Sequence, residues 1–242
     1  MKHICMFSGG AASSYMSCLV AKEHPGDTIL LYTPTYSEHE DADRFRKQVA
    51  KYIGLPITVQ ADGRDIWQLI DYHHALPSSF MPFCTETLKI EQTDKYLKTL
   101  TDDFILYYGY GIKEWGRVQK QTARLEVKGI KSAYPICERR IPEEEIRRII
   151  RQEWKICLPE TYLYLKHNNC IPCFKGGQKH FYDVWKYYPD RFWMAASKEE
   201  QWGYTVFEGI SLGELAKSWE LLGDQVVLTF KDVDTRPCLC AF

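Results

Sequence analysis

The chain has almost no net charge: 31 basic residues stand against 32 acidic ones in 242 residues, a balance of −1. That excludes a global field that would draw the protein to a nucleic-acid duplex or an anionic membrane, and leaves only local patches. No apolar run reaches membrane-spanning length. The first residues enter a short strand pattern without the features of a signal peptide. The expectation is a cytoplasmic protein with no membrane partner. Internal repeats, low-complexity tracts and Gly/Ser linkers are also missing, which excludes solenoid and linker-rich architectures. Two phosphate-binding signatures are absent. The first glycine pair is not closed by Gly-Lys-Ser/Thr as in a Walker loop, and no third spaced glycine makes it a dinucleotide fingerprint.

What remains is ordinary for a globular chain with a sizeable core: 45% hydrophobic and 26% charged residues. Aromatics reach 14%, including 16 Tyr and 7 Trp, a composition that suits either base stacking or a Tyr-rich core. In a reducing cytosol nine Cys are not a disulfide framework; close pairs are metal or redox candidates.

The most informative stretch is Ile4-Cys5-Met6-Phe7-Ser8-Gly9-Gly10-Ala11-Ala12-Ser13-Ser14. It reads as a strand, a tight turn and a helix start. Unpaired amides and the helix dipole make such a start a seat for an anion. Gly9 and Gly10 permit unusual φ and close approach of a ligand, while Ser8, Ser13 and Ser14 add hydroxyls.

Strand and helix patterns alternate through the first half. Strands are expected at His3–Phe7, Thr28–Tyr32, Ile57–Gln60 and Asp103–Tyr108. Helices are expected at Ala11–Lys22, Asp41–Ile53, Ile66–His74 and Thr85–Leu100. Such alternation implies parallel βαβ units, so the fold class is a doubly wound α/β domain over residues 1–135. Residues 136–242 form a helical, Cys-containing C-terminal region packed on it. Its expected helices lie at Ile141–Lys155, Thr161–Lys166, Lys179–Tyr187, Asp190–Trp202 and Leu212–Leu222, with a short strand at Val226–Phe230. Ligands in such folds bind at the carboxyl ends of strands. That places Thr33, Gly109 and Gly111 among the ligand-binding candidates; Arg117, downstream, either clamps a phosphate or is simply exposed. Arg124 shares a helical face with Arg117 and is expected to be exposed. Tyr108 and Tyr110 fit either an adenine pocket or the core. Glu38, His39 and Asp41 fit a ligand site or a helix-start acidic cluster, the latter favoured for Asp41.

Three further segments accompany the opening loop: Tyr32-Thr33-Pro34-Thr35-Tyr36-Ser37-Glu38-His39-Glu40-Asp41, Cys84-Thr85-Glu86-Thr87-Leu88-Lys89, and Gly109-Tyr110-Gly111-Ile112-Lys113. In this order, across residues 3 to 175, the chain resembles the phosphoadenosine phosphosulfate (PAPS) reductase family of the PP-loop, adenine nucleotide alpha-hydrolase-like superfamily. The resemblance implies a five-stranded parallel, Rossmann-like sheet with strand one central. It implies an adenylyl nucleotide as ligand, ATP or an adenylyl sulfate (PAPS or APS), held by Ser8, Gly9, Gly10 and Ser13. Lys89 would sit beside a phosphate or sulfate as a catalytic cation. A thiol reductant protein, a nucleic-acid substrate and a homodimer are among the partners to expect, and magnesium among the cofactors. The chain departs from the family in two places. Ala11-Ala12 stand where members often carry Lys-Asp, the acidic residue of which helps hold magnesium. The tail has Cys238-Leu239-Cys240 instead of Glu-Cys-Gly-Leu-His.

The cysteines carry two competing expectations. Cys170 and Cys173 have the spacing that lets two thiolates reach one metal; Cys84, Cys238 and Cys240 are candidates to complete a zinc or iron–sulfur site. Alternatively Cys238 or Cys240, beside Arg236, is a nucleophile that attacks sulfur as a thiolate. The functional expectation is an enzyme of sulfur-related reduction, or of nucleotide α-phosphate cleavage for sulfur transfer. The alternatives are a nucleotide-binding regulatory module with reduced catalysis and a tRNA or DNA thiolation factor. The basic, aromatic segment from Lys175 to Arg191 is the candidate nucleic-acid surface.

Overall fold

A computed structural model describes residues 1–226 and residue 230. The alternation in the sequence becomes β1 (Lys2–Met6), α1 (Ala11–Glu23), β2 (Thr28–Tyr32), α2 (Asp41–Ile53), β3 (Ile57–Val59) and α3 (Ile66–His73). Next come α4 (Phe83–Thr85), a π turn (Glu86–Ile90), α5 (Glu91–Leu97), β4 (Phe104–Tyr107), α6 (Trp115–Val127) and β5 (Lys131–Ala133). The sheet is five-stranded and parallel, in the order β3-β2-β1-β4-β5. The chain leaves the central β1 in one direction, returns, and builds outward in the other. Right-handed crossovers then put helices on both faces.

Period-two alternation divides the sheet's side chains between those faces. Cys5, Phe7, Leu30 and Tyr107 join α1, α2 and the helices after residue 135 in one core. Ile4, Met6, Leu31, Leu106 and Tyr108 join α5 and α6 in another. Strand β5 carries no apolar run: its Lys-Ser-Ala is half-exposed at the sheet edge, and pairing with β4 defines it as a strand. Pattern reading finds nothing there for that reason.

The second half supplies α7 (Pro135–Glu138), α8 (Glu143–Arg148), a π turn (Ile149–Glu153), a 3-10 turn (Glu160–Leu163), α9 (Gln178–Tyr187), α10 (Pro189–Trp202) and α11 (Leu212–Leu222). The expected helices Thr85–Leu100 and Ile141–Lys155 are each interrupted by a π turn. Expected helix Thr161–Lys166 is a 3-10 turn over Glu160–Leu163, and residues 227–229 of the expected strand Val226–Phe230 lie outside the described residues. Helices α9 to α11 share a third core with α3, Phe83 and Leu88. Phe181 and Tyr182 sit inside it, so those aromatics of the Lys175–Arg191 segment are packing residues. Among the described residues no helix is long and apolar enough to cross a membrane.

Candidate functional site

Between β1 and α1 the chain turns on Phe7-Ser8-Gly9-Gly10. Gly9 has φ +84°, a left-handed conformation that favours glycine, and a Cβ there would lie 2.6 Å from Arg46 Cγ. Gly10 is the N-cap of α1 and offers no side-chain cap; the first helical turn holds no acidic residue. The Ala12 and Ser13 amides therefore have no intrahelical acceptor, and no carboxylate of that turn offsets the dipole. Ser8 is exposed, its Oγ 3.0 Å from Ser13 Oγ, and Ser13 Oγ donates to Gly10 O at 3.0 Å. Ser14, a sequence candidate for the same ligand, is fully buried. Gly109 follows β4 and packs on the helix start so tightly that a Cβ would lie 2.6 Å from Ser13 N. Its contribution is close backbone approach. These features make the start of α1, at the carboxyl edge of the central strand, the candidate anion seat.

The second half of the chain reaches into this seat. Ala11 N–H donates to the Tyr162 hydroxyl at 3.0 Å, and Asn168 Nδ2 donates to Gly9 O at 2.9 Å. Thr161 Oγ1 donates to Asn168 Oδ1 at 2.9 Å and holds the amide in place. Behind the loop, Arg46 is 5% exposed, with its guanidinium 4.0 Å from the Tyr32 ring centroid. Its Nε and Nη1 have no hydrogen-bond partner, and its ion pair with Asp43 is long, at 3.9 Å.

Comparison with known families matches residues 2–111 to the phosphoadenosine phosphosulfate reductase domain. No curated protein matches the chain. Among solved structures, the U34-tRNA thiolase NcsA from Methanococcus maripaludis, with its 4Fe-4S cluster, aligns over 100% of this chain and 80% of its own. The identity is 13% and the TM-score 0.46.

Other sequence candidates, within the matched residues 2–111 and beyond them, fall around this loop or away from it. Lys89 lies half-buried on the Glu86–Ile90 π turn, a helix defect of the kind often found at functional sites. The Tyr32 phenol, at the end of β2, collects its neighbours: burial raises its pKa most, Glu38 and Cys170 add to that, and Arg46 and Lys89 oppose it. Lys89 and Cys170 thus act on one point at the carboxyl end of β2. Thr33, just after it, is buried. Gly111 N–H donates to Glu114 Oε2 at 2.7 Å, and Glu114 pairs with Arg117, which stacks over Tyr110 at 4.6 Å. Tyr108 and Tyr110 are buried and stack with Tyr134, so they are core residues. Arg124 is half-buried, where exposure was expected; burial raises the pKa of the Tyr108 and Tyr110 phenols, and its charge acts on both against that rise. Asp41 accepts both Arg44 N–H groups and Glu160 N–H, which hold its pKa low as a structural carboxylate.

The Cys170–Cys173 segment docks on the loop after β2. Cys170 Sγ lies 3.1 Å from Thr35 Oγ1, and Ile171 N–H donates to Ser37 O at 2.8 Å. Cys173 N–H donates to Nε2 of His180, a half-buried ring whose pKa desolvation lowers to about 4. Lys175, also buried, donates to Thr85 Oγ1 at 2.6 Å, tying the segment to the residue after Cys84. Among the described residues no three His, Cys, Asp or Glu side chains converge as a metal site. Cys238 and Cys240 lie outside the described residues, as does Arg236. The described residues alone do not fit a zinc or iron–sulfur centre.

Sequence reading missed Arg46, Tyr162 and Asn168 at this loop, and assigned Lys175, buried against Thr85, to a nucleic-acid surface. Arg46 looks like a solvated helix residue in sequence. Tyr162 and Asn168 meet the loop across 151 and 159 positions, which no local pattern encodes.

Proposed function

We propose that the protein binds an adenylyl nucleotide through the Ser8–Ser13 loop and cleaves the anhydride at its 5′-phosphate. With ATP the leaving group is pyrophosphate and the α-phosphate activates a second substrate. With an adenylyl sulfate a thiolate takes the sulfonate, the nucleotide phosphate leaves, and a thiol reductant then releases sulfite. Both reactions develop negative charge at one place, and Lys89 is the mobile cation for it. The observation that carries the reading is the uncapped start of α1 behind a left-handed glycine, on the central strand of a PAPS reductase domain.

In this reading Ser8, Gly9, Gly10 and Ser13 hold phosphate, while Thr33, Gly109 and Gly111 shape the walls and Arg117 closes the far side. The tail cysteines Cys238 and Cys240 are the thiols of the sulfonate route. A second reading, a nucleotide-binding module without turnover, is favoured by the absence of an acidic residue in the first turn of α1 and by the Tyr162 hydroxyl on Ala11 N–H. The test is product analysis on the full chain: ATP with Mg²⁺, then each adenylyl sulfate with dithiothreitol. AMP with pyrophosphate, or sulfite with the desulfated nucleotide, supports catalysis. Saturable binding without product selects the second reading, and no nucleotide binding overturns both.

A further inference from the structure

A second concave site lies beside the phosphate loop and shares one wall with it. Its volume is about 700 Å³, within the range of small-ligand pockets. Asp41, Arg147, Arg151, Lys155, Glu160 and Tyr162 line it, and none of residues 8–14 does. Tyr162 is the shared wall: its hydroxyl takes the first amide of α1, and its ring carries the Arg147 guanidinium at 4.6 Å.

The charges facing this space do not cancel. Asp41 is committed to Arg44 and to Glu160 N–H. Arg147 pairs with Glu143 and donates to Lys166 O, yet its Nε is buried with no hydrogen-bond partner. Arg151 and Lys155 are exposed and have no ion-pair partner among the described residues. Glu160 is the one remaining carboxylate of the lining. Lys155 also has φ +58°, at a helix end where glycine is the usual residue. A long cationic side chain is thus kept at the rim despite its backbone cost.

Guanidinium forks and an ammonium around a pocket of this size match the oxygen geometry of a phosphate monoester. We propose that this cavity binds a small phosphate-bearing molecule, the second substrate, next to the nucleotide. Its role as acceptor rests on the nucleotide reading above; its binding of phosphate does not. Tyr162 is then the partition between the two ligands.

The test is calorimetric titration of the full chain with ribose 5-phosphate, with and without a saturating non-hydrolysable ATP analogue, against ribose as control. The comparison variant is Arg151→Gln/Lys155→Gln, whose surface changes leave the fold intact. The expected result is one saturable ribose 5-phosphate site in both conditions, none for ribose, and at least about tenfold weaker binding in the double variant. Binding that the double variant leaves unchanged, or no saturable binding, overturns the proposal. So does variant-sensitive binding of a 20-nucleotide RNA without binding of ribose 5-phosphate. If the ATP analogue fails to bind while ribose 5-phosphate still does, and remains variant-sensitive, the nucleotide reading fails and the cavity assignment stands.

Discussion

Ala11 and Tyr162 stand 151 positions apart, and the amide of the first donates to the phenol of the second at 3.0 Å. The C-terminal half thereby occupies one donor of the anion seat. Tyr162→Phe removes this acceptor, which also serves the Asn168 backbone amide, and keeps the ring. Stability is expected to fall by about 1 kcal/mol, read from urea unfolding. Affinity for an ATP analogue is expected to rise, because the Ala11 amide turns to the ligand. Unchanged affinity would show that this amide does not face the nucleotide.

Arg46 is a buried cation with two unpartnered nitrogens directly behind Gly9. Burial of such a charge opposes folding unless an anion offsets it. Arg46→Met keeps the stem that fills the space beside Gly9. The variant is expected to be at least as stable as the parent by thermal melting. It should bind the ATP analogue about tenfold more weakly, a loss of about 1.4 kcal/mol. A large drop in melting temperature with affinity intact would assign Arg46 to packing alone.

Gly109→Ala tests the close approach of the β4 loop to α1. The new methyl would meet Ser13 N at 2.6 Å and Ala12 C at 2.8 Å, both backbone atoms that cannot rotate away. A destabilisation of about 1–3 kcal/mol is expected, together with loss of nucleotide binding. Retained affinity at full stability would contradict the packing described for this loop.

His180 sets a pH window. Burial lowers its pKa to about 4, and its Nε2 accepts Cys173 N–H, so the native ring is neutral. The unfolded ring titrates near the ordinary value of 6.5. Below that pH the unfolded state binds a proton that the folded state refuses, and stability falls as pH drops from about 6.5 to about 4. The full effect is on the order of 3 kcal/mol. Half-buried His167, also shifted down by burial, acts in the same direction. Asp183 and Glu199, shifted up by burial, lose a penalty as they protonate and partly oppose it at the acid end. Urea midpoints across this range should decline less in His180→Gln, which retains an acceptor without a titration; parallel declines would remove His180 from the account.

Much of the architecture was legible in sequence. Thr28–Tyr32, Asp41–Ile53 and Leu212–Leu222 occur with the bounds expected from them, because apolar runs, helical spacing and flanking glycines act locally. The π turn at Lys89 was not legible. Helical periodicity does not register one extra residue per turn, and tertiary packing of Leu88 and Phe83 selects where it goes.

By itself the sequence determined a parallel α/β sheet and a glycine turn at Ser8-Gly9-Gly10 that leaves helix-start amides unpaired, since such a turn between strand and helix does so wherever it occurs. Tertiary structure decided which other residues reach that seat. Tyr162, Asn168 and Arg46 meet the loop only through long-range packing, and Lys175 ties the Cys170–Cys173 segment to Thr85 in the same way. Ser14, offered beside Ser13 as a further hydroxyl, is fully buried, because successive helix positions differ by about 100°.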